Sequence, residues 1–235
     1  MKIKCGLFLL LCLSHATLAL SDPATLINKV KNNFQQIKTI SADITLDYNL
    51  SLLGCGTGTG WPGKLYYKSP DKLKVEFKGR ETYFAQGNKI RKIDNKGKRY
   101  YVTLINAIDM SVGFHPGLIT HNFNLKTLSE TETEAIIEGT PKPGILKNAK
   151  KLIFYFDKER WLLTKFDVLF PNPNLSGTIE ISYAKIKGLW IPTGFHGKSA
   201  LEVRPGMLVG LGLNFSGKNI QVNSGLPDKV LNPGF

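Results

Sequence analysis

Apolar and polar residues alternate without a break from Asp43 to Leu52. Ile44, Leu46, Tyr48, Leu50 and Leu52 fall on one side, and Asp43, Thr45, Asp47, Asn49 and Ser51 on the other. A period of two held this long predicts a strand with one dry and one wet face. Upstream the period changes. Leu26, Val30, Phe34 and Ile37 stand at i, i+4, i+8 and i+11, which predicts an amphipathic helix over 23–38. Asp22 supplies its N-cap and Pro23 its first position. Downstream, Leu73, Val75 and Phe77 alternate with lysines and a glutamate, and short strands follow at spacings of 8–12 residues to 208–215. About eleven strands with turn residues between them, and no parallel βαβ alternation, predict an antiparallel, mostly β sheet or barrel. Residues 104–122 break the pattern and read as a short helix plus loop, a candidate lid.

The first residues bear on compartment. Lys2 and Lys4 precede the apolar run Gly6–Leu13, and the small-residue stretch SHATLALS follows. This is the order of a secretory signal peptide. The run is too short for a bilayer, which needs about 20 apolar residues. Cleavage is expected after Ala19 or after Ser21, giving a signal over 1–21 and a single domain over 22–235. Cys12 is preceded by Leu11 rather than a small residue, so lipidation there is not expected. Removal of the signal takes Cys5 and Cys12 with it. Cys55 is then alone and has no internal disulfide partner.

Composition then narrows the partners. With 42% apolar and 21% charged residues, the chain has the balance of a globular protein rather than a disordered one. The formal charge is +13, and such a surface suits anionic lipid headgroups or nucleic acid. Export makes nucleic acid an unsuitable partner and turns the charge toward membrane surfaces. Lys72, Lys74, Lys78, Arg80, Lys89, Arg91 and Lys92 are candidates to attract anionic headgroups.

Several apparent motifs do not survive their context. Gly58, Gly60 and Gly63 match G-x-G-x-x-G, and Gly58–Lys64 matches most of a P-loop. Both motifs require a following helix whose N-terminus receives phosphate. Here an apparent strand follows, and Leu65 stands where a P-loop needs Ser or Thr. The glycine-rich stretch 54–63 reads instead as a flexible hairpin connection with Trp61 exposed at its tip. His115, His121 and His196 show no metal-ligand spacing, no H-E-x-x-H occurs, and no G-x-S-x-G elbow is present. Neither a metal, a cofactor nor a catalytic residue is expected.

What exceeds an ordinary pattern is the amount of one-sided strand. A helix of about 16 residues is roughly 24 Å long at 1.5 Å per residue, too short to cover about eleven strands. Either the sheet closes on a solid core or its apolar face lines a cavity for an apolar ligand. The candidate cavity residues are Ile44, Leu46, Tyr48, Leu73, Val75, Phe77, Phe154, Phe156, Phe166, Val168, Ile179 and Ile181. The candidate lid residues are Ile108, Met110 and Phe114.

The order of pieces also resembles a known family. The helix is followed by Ser41-Ala42-Asp43-Ile44, then Gly63-Lys64-Leu65-Tyr66-Tyr67-Lys68-Ser69-Pro70, then Gln86-Gly87-Asn88-Lys89-Ile90-Arg91. The ending is Asn223-Ser224-Gly225-Leu226-Pro227-Asp228. This is similar to the LolA-like periplasmic carriers of outer-membrane lipoproteins. The resemblance implies a half-open antiparallel β-barrel of about 11 strands, with an N-terminal amphipathic helix and a short helical lid enclosing an apolar cavity. It implies a periplasmic, monomeric carrier without catalysis. Its partners would be lipoprotein or lipid acyl chains, an inner-membrane donor complex, an outer-membrane acceptor and, transiently, the membrane surface. The arginine that this family places before its proline is Ser69 here, so its role does not carry over. Two rivals remain: a lipid- or protein-sensing regulatory module of the same fold in the cell envelope, and an exported hydrolase with a dispersed site inside the pocket.

Overall fold

The structure is a computed structural model. It describes residues 20–52, 55–86, 89–102, 116–146, 149–172, 175–204 and 207–232. Helix α1 (Pro23–Gln35) starts where Asp22 accepts the Thr25 N–H at 3.0 Å and Pro23 occupies the first turn. Its stripe of Leu26, Ile27, Val30 and Phe34 is buried, and Ile37 continues that face beyond the helix end. The helix stops at Gln35, three residues short of the predicted end at 38. The chain there turns into β1 (Thr39–Leu52).

Thirteen strands form one antiparallel sheet. After β1 come β2 (Cys55–Lys68), β3 (Lys72–Phe77), β4 (Thr82–Gln86), β5 (Lys89–Ile93) and β6 (Arg99–Val102). Helix α2 (Gly117–Asn122) leads into β7 (Phe123–Glu130), β8 (Glu134–Pro141), β9 (Lys151–Asp157) and β10 (Leu162–Leu169). The last strands are β11 (Ser176–Ile186), β12 (Leu189–Arg204) and β13 (Met207–Val222), followed by the short helix α3 (Asp228–Leu231). Spatially the order is β6-β5-β4-β3-β2-β1-β13-β12-β11-β10-β9-β8-β7. Two meanders are therefore zipped together where the first strand meets the last, and β6 and β7 remain unpaired with each other. The sheet is half-open, as expected, with thirteen strands rather than about eleven.

The largest correction concerns the glycine-rich stretch. It is not a loose connection but the first half of β2, and it pairs with β1 over its whole length, from Leu52↔Cys55 to Thr39↔Lys68. Glycine is a poor strand former by itself. A ten-residue amphipathic strand, however, leaves a full row of backbone groups that must be paired. The seam is equally long: β1 meets β13 from Ile40↔Val222 to Leu52↔Val209. Strand β13 also runs past the expected 208–215, and β12 reaches Arg204, through glycine- and lysine-bearing segments that carry little apolar pattern.

Asn223 fastens the seam. Its side-chain oxygen accepts the N–H groups of Lys38 at 2.7 Å and Thr39 at 3.2 Å, and its amide donates to the Gln36 carbonyl at 3.0 Å. The residue has φ +54, a conformation that asparagine tolerates better than most. At the other end of α1, Ser21 is held on β7. Glu130 accepts its N–H at 2.8 Å, and Ser21 accepts the Thr127 hydroxyl at 2.8 Å. The core lies between the inner face of the sheet and the helices. Phe154, Phe156, Phe166, Ile119 and the stripe of α1 join one buried cluster.

Candidate functional site

The inner face of the sheet is set by strand alternation and register. Cross-strand pairs carry one face from Val168 to Gly177 to Ser199, and then to Leu211. The next row runs Phe166, Ile179, Gly197, Leu213 and Tyr48. Two of these inner positions are glycine. A Cβ at Gly177 would lie 3.7 Å from Ser199 Oγ, and one at Gly197 would lie 3.4 Å from Leu213 Cβ. These are ordinary contact distances, so both places have room for a side chain that the sequence does not supply.

The missing side chains leave a cavity of about 310 Å³. Its walls are Leu152, Val168, Phe170, Ile179, Leu211 and Leu213, with Leu146 and Ala149 arching over from the β8–β9 connection. Ser199 and Lys198 are also on its border, together with Thr178. Among the described residues that line it, none is His, Cys, Asp or Glu. Its lining is apolar apart from Thr178, Lys198 and Ser199, the chemistry of a pocket for an apolar group.

The sequence-derived cavity residues separate into three groups. Val168 and Ile179 line this hollow. Ile44, Leu73, Val75, Phe77, Phe154, Phe156, Phe166 and Ile181 are buried in the core cluster on the same face, with Leu46 packed against it. Phe154 stands 5.5 Å from Phe123 and 6.2 Å from Phe166, ring centroid to centroid. Tyr48 is half-buried beside the seam. The lid candidates Ile108, Met110 and Phe114 lie outside the described residues, as do Cys5, Cys12 and His115 of the sequence analysis. The glycines of the hollow and Leu211 and Leu213 were missed, because an isolated glycine in a strand is a signal only once its neighbours are known.

Trp61 was read as an exposed tip and is instead half-buried on the inner face of β2. Its ring packs edge-on against Tyr48 at 5.1 Å and Phe77 at 5.9 Å, and Phe77 meets Tyr83 at 6.4 Å. The Arg80 guanidinium lies over the Trp61 ring, 4.1 Å from its centroid. Arg80 is placed by the tight β3–β4 turn, in which its N–H donates to the Phe77 carbonyl at 3.1 Å and the Lys78 N–H donates to Pro62 at 2.9 Å. The acid next in sequence is engaged elsewhere: Glu81 pairs with Lys92 at 2.9 Å. That hydrogen bond holds the Glu81 carboxyl below its ordinary range and raises the Lys92 ammonium.

The basic candidates divide between faces. Lys72 and Lys74 alternate with buried Leu73 and Val75, and Arg91 sits opposite Phe84, so these point away from the core. Lys89 is exposed at the start of β5, and Lys78 and Arg80 are exposed in the β3–β4 turn. Lys74 is partly neutralised by Glu76 at 2.9 Å. On the outer face a second groove, about 500 Å³, is bordered by Asp47, Asn49, His196, Lys198 and Asn214 above the bare backbone of Gly58, Gly60 and Gly212. His121 and His196 lie on α2 and β12, and no three His, Cys, Asp or Glu side chains gather among the described residues. No described helix is long and apolar enough to cross a membrane.

The open antiparallel sheet wrapped on helices is a fold seen in other proteins. Three solved structures share it. A LolA superfamily protein, NE2245 from Nitrosomonas europaea, matches at TM-score 0.65 and 11% identity over 91% of this chain and 98% of its own. A DUF1329 family protein from Desulfovibrio piger matches at TM-score 0.64 and 14% identity, with the same coverage of both chains. A putative outer membrane lipoprotein-sorting protein domain from Vibrio parahaemolyticus matches at TM-score 0.62 and 11% identity over 88% of this chain and 95% of its own. Identities this low establish the fold. Neither the protein-family models nor the curated proteins yield a match to the sequence.

Proposed function

We propose that this chain is an exported, non-catalytic carrier that buries an acyl chain of a lipid or lipoprotein and moves it between membranes. The observation that carries the reading is the hollow floored by Gly177 and Gly197, apolar on nearly every side and built into the face that the fold otherwise fills with core. A methylene takes about 27 Å³, close to the roughly 30 Å³ share of a liquid water, so 310 Å³ receives about eleven methylenes. At about 0.8 kcal/mol each, their burial contributes on the order of 9 kcal/mol before ordering costs, enough to draw a chain out of water and small enough to be reversed at a membrane.

The rest of the reading follows from this use. Residues 1–21 are the export signal, 22–235 one carrier domain, and the periplasm the working compartment. The outward lysines and Arg91 of β3–β5 meet anionic headgroups at the donor and acceptor surfaces. The carrier works as a monomer. Ile44, Leu46, Tyr48, Leu73, Val75, Phe77 and their partners across the sheet are the apolar surface along which a longer chain lies, with Ile108, Met110 and Phe114 as its lid. Native mass spectrometry of the protein from a periplasmic extract tests this directly. A co-purifying acylated mass that organic solvent removes is the expected result. A protein that carries none and takes up no fluorescent fatty acid overturns the reading.

A further inference from the structure

Ser199 puts a hydroxyl on the inner wall of the hollow. It pairs with Gly177 across β11 and β12, and a Cβ at Gly177 would stand 3.7 Å from its Oγ. The other two polar residues on the border, Thr178 and Lys198, pair with each other one position along, so strand alternation turns their side chains to the opposite face. The Thr178 hydroxyl donates to Asp167 at 2.8 Å, and Lys198 also borders the outer groove beside Asp47 and Asn49. Among the described residues that line the hollow, Ser199 is thus the one whose polar side-chain atom faces into it.

Ser199 is half-buried, and its hydroxyl has no hydrogen-bond partner among the described residues. A purely hydrocarbon ligand lying over it would strip the hydroxyl of water and return no hydrogen bond. A ligand with an acceptor oxygen at that depth would satisfy it. The charge of that acceptor follows from what else is in reach. Lys198 faces outward, and neither Arg nor His is among the described lining residues. A carboxylate carried to Ser199 would therefore give up its hydration for one neutral donor. An ester carbonyl gives up far less and accepts the same hydrogen bond.

From this arrangement we infer that Ser199 donates to an uncharged ester carbonyl of the cargo, so that the hollow selects an ester-linked acyl chain over a free fatty acid. The inference rests on the carrier reading and adds to it the chemistry of the linkage. A free acid still enters tail first, with its carboxylate left in water and a methylene against Ser199.

Two probes of one chain length test this, methyl tetradecanoate and tetradecanoate, each displacing a fluorescent fatty acid from the full mature chain at neutral pH. Ser199→Ala is expected to weaken the ester about fivefold, the worth of one hydrogen bond, and to leave the acid within about twofold. Ser199→Thr, which keeps the hydroxyl, is expected to hold the ester within about twofold of the original. With a carbon-13 label in the ester carbonyl, its infrared band should move to lower frequency on binding the original chain and not on binding Ser199→Ala, a signature that packing alone does not produce. Urea midpoints confirm that both variants fold. An ester that binds Ser199→Ala as tightly and with an unmoved carbonyl band overturns the ester assignment and leaves the carrier intact. Equal losses for ester and acid overturn it as well, because the hydroxyl would then be serving a carboxylate. Failure of both probes to bind the original chain overturns the carrier reading itself.

Discussion

Gly177→Val separates ligand binding from folding because the two should move in opposite directions. Gly177 lies in β11, and the nearest atoms to an added Cβ are Ser199 Oγ at 3.7 Å and the Lys198 carbonyl at 3.8 Å, so a Cβ enters without a clash and the γ-methyls of valine have the hollow to enter. It brings three carbons into a hollow of 310 Å³ and displaces two to three of the methylenes a ligand would place there. At about 0.8 kcal/mol per methylene the loss is ~2 kcal/mol, or roughly thirtyfold in Kd. The fold should gain about 0.5–1 kcal/mol, since valine suits a strand and narrows the unfolded ensemble relative to glycine. The assay is paired: urea unfolding for stability, and displacement of a fluorescent fatty acid by saturated acids of increasing length. The affinity of the unmodified chain should rise with length and then level off, and the variant should level off two or three carbons earlier. A variant that is at least as stable and binds every length as tightly as the original would show that the hollow is not where the chain ends.

Two further expectations concern the scaffold. Asn223→Ala removes three hydrogen bonds at the α1–β1 junction and forces alanine to φ +54. At about 0.5–1.5 kcal/mol per partly hydrated bond, and with the backbone strain included, urea unfolding should report a loss of about 2–3 kcal/mol. Asn223→Gly, which restores the backbone alone, should recover under half of it. In a chain that keeps Ser21, Glu130 accepts from Lys158 and from the Ser21 N–H, which hold its carboxyl down at about 2; cleavage after Ser21 leaves Lys158 alone, so the comparison is made in a chain that begins at Leu20. A depressed carboxylate contributes stability above its unfolded pKa of about 4.3, and that contribution is lost as pH falls from there toward 2. Glu130→Gln should therefore be less stable by about 1 kcal/mol at pH 7, and the two melting curves should converge as pH drops through that window.

Much of the architecture was legible because alternation and helical periodicity report directly on which face is dry. The strand Asp43–Leu52, the helix stripe and the helix cap are where the pattern puts them, and the Asn223 motif of the resemblance has a physical role at the seam. The glycine half of β2 was not legible by propensity. Its signal was subtler: Thr57, Thr59 and Trp61 alternate with Gly56, Gly58 and Gly60, a period of two in which the outer residue has no side chain. The hollow was illegible for a related reason. Val168 and Ile179 could be assigned to a dry face, but a cavity is a property of what lies across the strand. Gly197 matters only because it falls between Ile179 and Leu213, and register is not written in any one strand. Tertiary pairing likewise turned Trp61 from a loop tip into an inner-face residue.

The position of the seam explains why the chain begins and ends its sheet side by side. A meander of thirteen strands running in chain order would place the first and last strands at opposite edges. Here the middle of the chain, between β6 and β7, lies at the two edges, and β1 and β13 meet at the centre. The pairing of Leu52 with Val209 through Ile40 with Val222 makes the longest-range contact in sequence also one of the most extensive. The hollow lies on the β13 side of this seam, lined by β9 to β13 and the β8–β9 connection. Leu213, a wall of the hollow, pairs with Tyr48 across the seam, so loosening β1 from β13 would disturb the hollow directly.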